Sequence, residues 1–361
     1  MLTITKKYKT KLKTFIEREM IIKELITKLD PDNQFDVLKD SYSQVEYAWN
    51  IKFDLSTIDV TKIKNIIVSG LGGSAIGGEL LQSYFRTDLK YPYQVNRNYE
   101  LPLYANEETL VIASSYSGNT EETISALNDA TAKQCQIVCI TTGGKIEQIA
   151  KENKIPVGIL KHGFQPRFAL WINFFSLVNV FNTLKIVPEQ DSLVKEVILF
   201  LKKKGLEYSS EKNEAIYIAE NLLGFIPLLY SVSDYTSVVG TRWRGQFNEN
   251  SKQHAFSNCY PELDHNEIMG WEGYKPTMNF KLINIIDEDY HLQVKKRFEI
   301  TTEVIKKCGA DVINIQSKEK NYKLRLVDMI YLGDWMTYYY ALMRGFDPTT
   351  IDNINYLKAN L

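Results

Sequence analysis

Cysteine is scarce, with four in 361 residues (Cys135, Cys139, Cys259 and Cys308), too few for a disulfide scaffold at this length. Cys135 and Cys139 stand four apart without an accompanying Cys/His cluster. The apolar run Gln136-Ile137-Val138-Cys139-Ile140 makes both read as small core residues. An excess of either charge is also missing. Lys plus Arg total 43 and Asp plus Glu 44, a formal net charge of -1, which excludes the broad basic surface of a nucleic-acid binder. A small basic pocket for an anionic metabolite stays open. Long apolar runs are absent as well. Lys6, Lys7, Lys9, Lys11 and Lys13 are not followed by the apolar stretch of a secretory signal, and read as the solvated or frayed start of a first helix. The most apolar helical segment, Phe168 to Leu184, is interrupted by Asn173, Asn179 and Asn182 and is short for a membrane span. It reads as a buried helix of a cytoplasmic protein. His162, His254 and His291 lie in no metal-ligand spacing.

The composition that remains is 44% hydrophobic and 24% charged, that of a soluble globular chain long enough for two domains. Residues 15 to 50 carry apolar positions at helical spacing. Strands are expected at 63–68, 91–95, 110–113, 136–140 and 157–160, with helices at 79–85 and 121–133 between them. After a charged stretch the alternation resumes with strands at 225–231, 282–286 and 311–316. Helices near 326–343 and 349–361 close the chain. Strand–helix alternation is the mark of a parallel, doubly wound α/β sheet. The expected division is a helical extension (1–50), a first α/β domain (51–185), a helical connection (186–215) and a second α/β domain with C-terminal helices (216–361).

Two loops carry a chemical signal. Gly70-Leu71-Gly72-Gly73-Ser74-Ala75-Ile76-Gly77-Gly78 follows the first strand and opens a helix. Glycine there admits a ligand close to main-chain N–H groups, and a helix N-terminus favours an anion. Tight turns also use glycine for geometry alone. The loop matches neither a dinucleotide fingerprint, since position 75 is Ala, nor a Walker loop, which ends Gly-Lys-Ser/Thr. Ser114-Ser115-Tyr116-Ser117-Gly118-Asn119-Thr120-Glu121-Glu122-Thr123 follows the third strand. Ser115, Ser117 and Thr120 offer three hydroxyls beside free N–H groups at a helix start, a nest suited to a phosphate monoester. An ordinary helix cap needs only one.

The Gly-Gly-Ser-x-Ile-Gly-Gly turn together with Ser-Tyr-Ser-Gly-Asn-Thr-Glu-Glu-Thr resembles the sugar isomerase (SIS) domain, a phosphosugar-binding α/β module. Asn248-Glu249-Asn250-Ser251-Lys252, Pro261-Glu262-Leu263-Asp264-His265-Asn266-Glu267-Ile268, Leu332-Gly333-Asp334-Trp335 and Arg344-Gly345-x-Asp347-Pro348-Thr349 are similar to motifs of the bifunctional phosphoglucose/phosphomannose isomerases. The matches run from residue 63 to the C-terminus, and the leading 50 residues carry none. The resemblance implies two SIS-type domains and interconversion of fructose 6-phosphate with glucose 6-phosphate and mannose 6-phosphate through an enediolate. It implies neither metal nor cofactor, and a place in cytoplasmic carbohydrate metabolism, in glycolysis and gluconeogenesis.

Carried onto this sequence, it gives Gly73, Ser74, Ser115, Ser117 and Thr120 to the substrate phosphate. Glu249 becomes the base that moves a proton between C1 and C2. His265, in an expected loop, and Lys358 serve ring opening, and Arg167 stabilises the enediolate. The implied state is a homodimer in which His265 reaches the partner's site. Thr349 and Thr350 line the expected pocket. Without the resemblance, Glu249 is a helix glutamate pairing with Lys252, His265 a structural or exposed residue, Arg167 a surface ion-pair residue and Lys358 a solvated lysine at a helix end. Two other readings stay open: a non-catalytic SIS regulator, which would bring a basic DNA-binding module that the first 50 residues do not show, and an isomerase of another phosphosugar.

Overall fold

The computed structural model describes residues 15–360; the lysines from Lys6 to Lys13 lie outside the described residues. Helices α1 (Phe15–Leu29), α2 (Gln34–Lys39) and α3 (Ser41–Asn50) lead. There follow β1 (Asn65–Ser69), α4 (Gly72–Tyr84), β2 (Tyr93–Asn96), β3 (Thr109–Ser115), α5 (Glu121–Ala132), β4 (Gln136–Thr141), α6 (Gly144–Glu152), β5 (Val157–Ile159) and α7 (Leu170–Thr183). Helices α8 (Asp191–Tyr208) and α9 (Glu214–Leu222) lead to β6 (Ile226–Val232), α10 (Ser237–Ser251), β7 (Phe256–Tyr260), β8 (Phe280–Ile286), α11 (Leu292–Lys307) and β9 (Asp311–Gln316). The chain ends in α12 (Tyr322–Met343) and α13 (Asp352–Ala359).

Three local features differ from expectation. The glycine-rich turn is already helix from Gly72, because its glycines and Ser74 continue the winding that Glu79 was expected to begin. Strand β7 was not foreseen. It is a short edge strand, Phe-Ser-Asn-Cys-Tyr, whose residues are mostly half-exposed, so it lacks the apolar run that marks a central strand. His265 ends a one-turn 3-10 helix, Glu262–His265, rather than sitting in an irregular loop.

The described residues form two compact units, one of Asp40–Lys203 and one joining the chain up to Lys39 with Lys204–Leu361. These limits differ from the division read from composition, since the leading helices are shared out between the units. In the unit of Asp40–Lys203, α3 packs on α7. Gln44 there donates to the Phe168 carbonyl at 2.8 Å and accepts from the Ile172 amide at 3.2 Å. In the other unit Phe35 meets Trp335 edge to face at 5.3 Å, and Tyr338 donates to the Asp30 carboxylate at 2.8 Å. The unit boundary falls within α8.

Each unit holds one all-parallel sheet flanked by helices. The first runs β2-β1-β3-β4-β5 and the second β7-β6-β8-β9. In the first, the chain moves from β1 outward to β2 and returns to the other side of β1 as β3. In the second, β6, β7 and β8 repeat that reversal. A crevice opens at the C-terminal strand ends where such a reversal occurs. Fully buried strand residues such as Ile66, Ile67, Val68, Val111 and Ile112 form the first core. Cys139 is buried within it. Cys135 is only half-buried, because it ends a turn at the sheet rim and packs against that core from outside. Burial raises the two thiols to about 11 (Cys135) and about 12 (Cys139).

The expected buried helix is α7, and the asparagines that interrupt it each hold a neighbouring segment. Asn173 donates to Ser114 Oγ at 2.7 Å, Asn179 to the carbonyls of Ala48, Trp49 and Ile51, and Asn182 accepts from the Gln190 amide at 3.0 Å. Among the described residues no helix is long and apolar enough to cross a membrane.

At the reversal of the second sheet the strand ends carry an ionic cluster in which Arg325 and Asp287 are buried and Glu288 and Asp289 are exposed. Arg325 donates to both Asp287 oxygens at 2.7 and 3.0 Å and to Glu288 at 2.8 Å, and also pairs with Asp289. Tyr235 donates to Asp287 at 2.7 Å. Burial pushes the Asp287 carboxyl up, but the bonds from Arg325, the Asp289 amide and Tyr235 outweigh it and hold the group below the usual carboxylate range. The stabilisation is therefore present above the unfolded pKa of about 4 and lost as pH falls through the lower folded value. We expect Asp287→Asn to lower stability at pH 7 by ~1.5–3 kcal/mol, because the buried guanidinium loses the charge of its one buried partner and keeps only the exposed carboxylates of Glu288 and Asp289. Urea titrations at pH 7 and pH 3 check this: the gap between variant and parent should narrow at the lower pH.

Candidate active site

The two loops picked out by composition lie side by side, because β1 and β3 are hydrogen-bonded neighbours with Ser69 opposite Ala113. Each strand end runs into a helix, α4 at Gly72 and α5 at Glu121, so two sets of unpaired helix-start N–H groups face the crevice of the first sheet. The main chains approach closely: a Cβ at Gly70 would stand 2.7 Å from the Ser114 carbonyl oxygen. Side chains larger than hydrogen are excluded there.

Ser115 is the buried last residue of β3. Its Oγ lies 2.8 Å from Thr120 Oγ1 and accepts from the Gly118 amide at 3.2 Å. Thr120 precedes α5 but makes no side-chain capping bond to it, so the ordinary cap reading of this hydroxyl does not hold. Ser117 is exposed at the loop tip and accepts from the Asn119 amide at 3.3 Å. Gly118 has φ +70°, and a Cβ on it would run into the Gly143 carbonyl. Behind the loop, the turn after β4 supports it: the Lys145 amide donates to Asn119 Oδ1 at 3.0 Å, and Thr142 Oγ1 donates to the Tyr116 carbonyl at 2.6 Å.

Ser74 is buried in the first turn of α4. Gly73 beside it is approached by the Pro166–Phe168 turn, so that a Cβ there would stand 2.9 Å from the Pro166 carbonyl oxygen and 3.9 Å from Arg167 Cα. Arg167 is 3% exposed, not the surface ion-pair residue that its helix-start position would otherwise suggest. The structure thus gathers Gly73, Ser74, Ser115, Ser117, Thr120 and Arg167 within one unit.

Glu249, His265 and Lys358 belong to the other unit. Glu249 is half-buried near the end of α10, while its neighbours Asn250 and Ser251 are fully buried and bond to Thr337 of α12 at 3.1 and 2.8 Å. Lys252 has φ +50° just past the helix, and its ammonium donates to the carbonyls of Glu249, Asn250 and Asp347 at 3.0, 3.3 and 2.8 Å. Arg344 donates to the Ser251 carbonyl at 2.7 Å. The residues around Glu249 thus fix the helix end that bears it. His265 is exposed, as is Lys358 in the last turn of α13. Thr349 is buried next to Asp347, which accepts its amide at 2.6 Å, and Thr350 is exposed.

A model of the SIS domain matches residues 59–160, and one of the bacterial phospho-glucose isomerase C-terminal SIS domain matches residues 211–361. A bifunctional phosphoglucose/phosphomannose isomerase of Caldicellulosiruptor bescii is 38% identical over 333 residues, covering 91% of this chain and 98% of its own. The chain belongs to the bifunctional phosphoglucose/phosphomannose isomerase family. A relative of the same description from Aquifex aeolicus is 33% identical over 327 residues, covering 90% of this chain and 99% of its own. Among solved structures, a hypothetical protein of Thermus thermophilus superposes with TM-score 0.70 at 16% identity, over 95% of this chain and 93% of that one. Glucosamine-6-phosphate deaminase of Thermotoga maritima gives 0.64 at 14%, over 87% and 95%. At such identities these two speak for the fold alone.

The supports of the loop carry little sequence signal. Asn119 and the Gly143-Gly144 turn hold the Ser/Thr loop, and Asn173 reaches its root at Ser114. The signal for Asn173 was present, as a polar residue in the middle of an apolar helix. We expect Gly118→Ala to move the loop against the Gly143 turn and weaken fructose 6-phosphate binding at least tenfold by calorimetry. Ser117→Ala with Thr120→Ala should weaken the same binding while leaving the thermal midpoint close to the parent's. Undiminished affinity in the double variant would place the phosphate elsewhere.

Proposed function

We propose that this protein is a metal-independent aldose–ketose isomerase that interconverts fructose 6-phosphate with glucose 6-phosphate and mannose 6-phosphate. The observation that carries the reading is the pair of helix starts at the β1/β3 reversal, rimmed by Ser74, Ser115, Ser117 and Thr120 and crossed at Gly73 by the Arg167 turn. Oriented N–H groups and hydroxyls suit a phosphate monoester without a metal.

Opening the pyranose transfers the anomeric hydroxyl proton to the ring oxygen. His265 relays this proton, and the Lys358 ammonium sits near the ring oxygen. Glu249 then takes the proton from C2 of the open aldose, leaving an enediolate. Arg167 supplies fixed positive charge to that anion. Return of the proton from Glu249 to C1, with the O2 proton passing to O1, gives the ketose. Glucose and mannose 6-phosphates differ only at C2 and share this enediolate. Rotation about C2–C3 would present either face to the same carboxylate. Exposure of His265 on its unit supports a homodimer in which it serves the site of a second copy, and free thiols at all four cysteines accord with a cytoplasmic role in carbohydrate metabolism, feeding glycolysis and gluconeogenesis.

The deciding assay supplies fructose 6-phosphate in excess EDTA and reads glucose 6-phosphate and mannose 6-phosphate separately. Both are expected. Glucose 6-phosphate alone would mean a pocket too tight for C2–C3 rotation, and neither product from a protein that still binds the phosphosugar would overturn the reading. Glu249→Gln should abolish turnover and leave calorimetric binding of fructose 6-phosphate within about twofold, as expected for a group needed only to move the proton. Unchanged turnover in that variant would remove Glu249 as the base.

A further inference from the structure

His265 makes no hydrogen bond or ion pair of its own among the described residues, so its imidazole is placed by the backbone turn that bears it. That turn is clamped on both sides. Leu263, two residues before, is fully buried and packs with Tyr230, Tyr260, Trp271 and Phe298. Asp264, immediately before, is held at two points from one face of α11: Arg297 Nη1 donates to Oδ2 at 2.9 Å and Thr301 Oγ1 to Oδ1 at 3.0 Å. Arg297 and Thr301 are four residues apart, which stacks them on one helix face. On the far side, Asn266 accepts from the Glu267 amide at 2.6 Å and donates to Glu262 at 3.0 Å. Glu267 in turn accepts from Tyr230 at 2.7 Å and from Asn258 at 2.5 Å. Leu263, Asp264 and Glu267 are drawn inward, while His265 is left exposed beside the surface pair Glu262 and Asn266.

Asp264 is the link that ties this turn to a long helix. Its side chain is 10% exposed, and Thr301 is fully buried. Charge-assisted bonds to a largely buried carboxylate are stronger than neutral ones. With Arg297 bonded, the carboxylate is also kept from swinging onto the adjacent imidazole. We propose that Arg297 and Thr301 are positioning residues that hold His265 in place through Asp264, an inference that rests on the ring-opening role of His265 given above. Neither residue touches the substrate in this scheme.

The test is a double-mutant cycle. Arg297→Gln should lower kcat with fructose 6-phosphate about ten- to a hundredfold, since a displacement of ~1 Å can cost that much. KM should change by less than about twofold, because phosphate binding lies in the other unit. In a His265→Ala background the same substitution should have no further effect on kcat, and Arg297→Lys should recover most of the loss. A purely structural role for Arg297 would reduce activity by the same factor in both backgrounds. Thr301→Val, which keeps shape and removes only the hydroxyl, provides the same cycle should Arg297→Gln fold poorly. Equal losses in both backgrounds, or full kcat in Arg297→Gln and Thr301→Val alike, would overturn the clamp alone. Full turnover in His265→Ala would overturn the role of His265 and the clamp with it.

Discussion

Helix α12 is buried on every side: each residue from Lys323 to Leu342 is buried, so its charged and hydroxyl side chains need partners inside the protein. Asp334 accepts from Arg242 at 3.0 Å and Gln246 at 2.9 Å, Thr337 accepts from Asn250, and Asp328 accepts from Ser317 at 2.6 Å and Tyr208 at 3.2 Å. Three of these partners lie on α10, and together they fix its rotation against α12. Gly333 completes the fit, because any side chain there would run into the Trp243 indole. With Asn250 and Ser251 turned in by this constraint, Glu249 is left half-buried. The placement of the carboxylate read as the base is thus a consequence of satisfying polar groups in the core.

The same winding is used for two purposes. In the first sheet the crevice at the β1/β3 reversal is lined by hydroxyls and N–H groups, which suit an anion. In the second, the corresponding β6/β8 reversal holds Arg325 among Asp287, Glu288 and Asp289, with Tyr235 closing on Asp287. The carboxylates at those strand ends do not suit an anion. Topology alone therefore does not place a ligand; the chemistry of the residues at the strand ends does.

The residues that bear the family's motifs divide in the same way between chemistry and support. In Asn248–Lys252, two residues pack, one caps with its ammonium, and one carboxylate is presented. In Leu332–Trp335, Asp334 binds Arg242 and Gln246 and Gly333 makes room for Trp243. In Glu262–Glu267, Leu263, Asp264 and Glu267 are anchors around a single exposed imidazole.

The α/β class is legible in the residues alone, because burial on both faces of a parallel sheet writes continuous apolar runs that alternate with helical periodicity, as at 66–68 and 110–113. The two Gly/Ser-rich loops are legible there too, since glycine marks close main-chain approach, as the φ of +70° at Gly118 bears out, and a helix start with several hydroxyls is readable as a string. Long-range packing settles which motif residues face solvent, how α1, α2 and α3 are shared between the units, and that β7 exists at all. Those features rest on contacts between residues far apart in the chain, such as Asp30 with Tyr338, Asn250 with Thr337 and Asp264 with Arg297. No local period or propensity records a partner eighty or three hundred residues away.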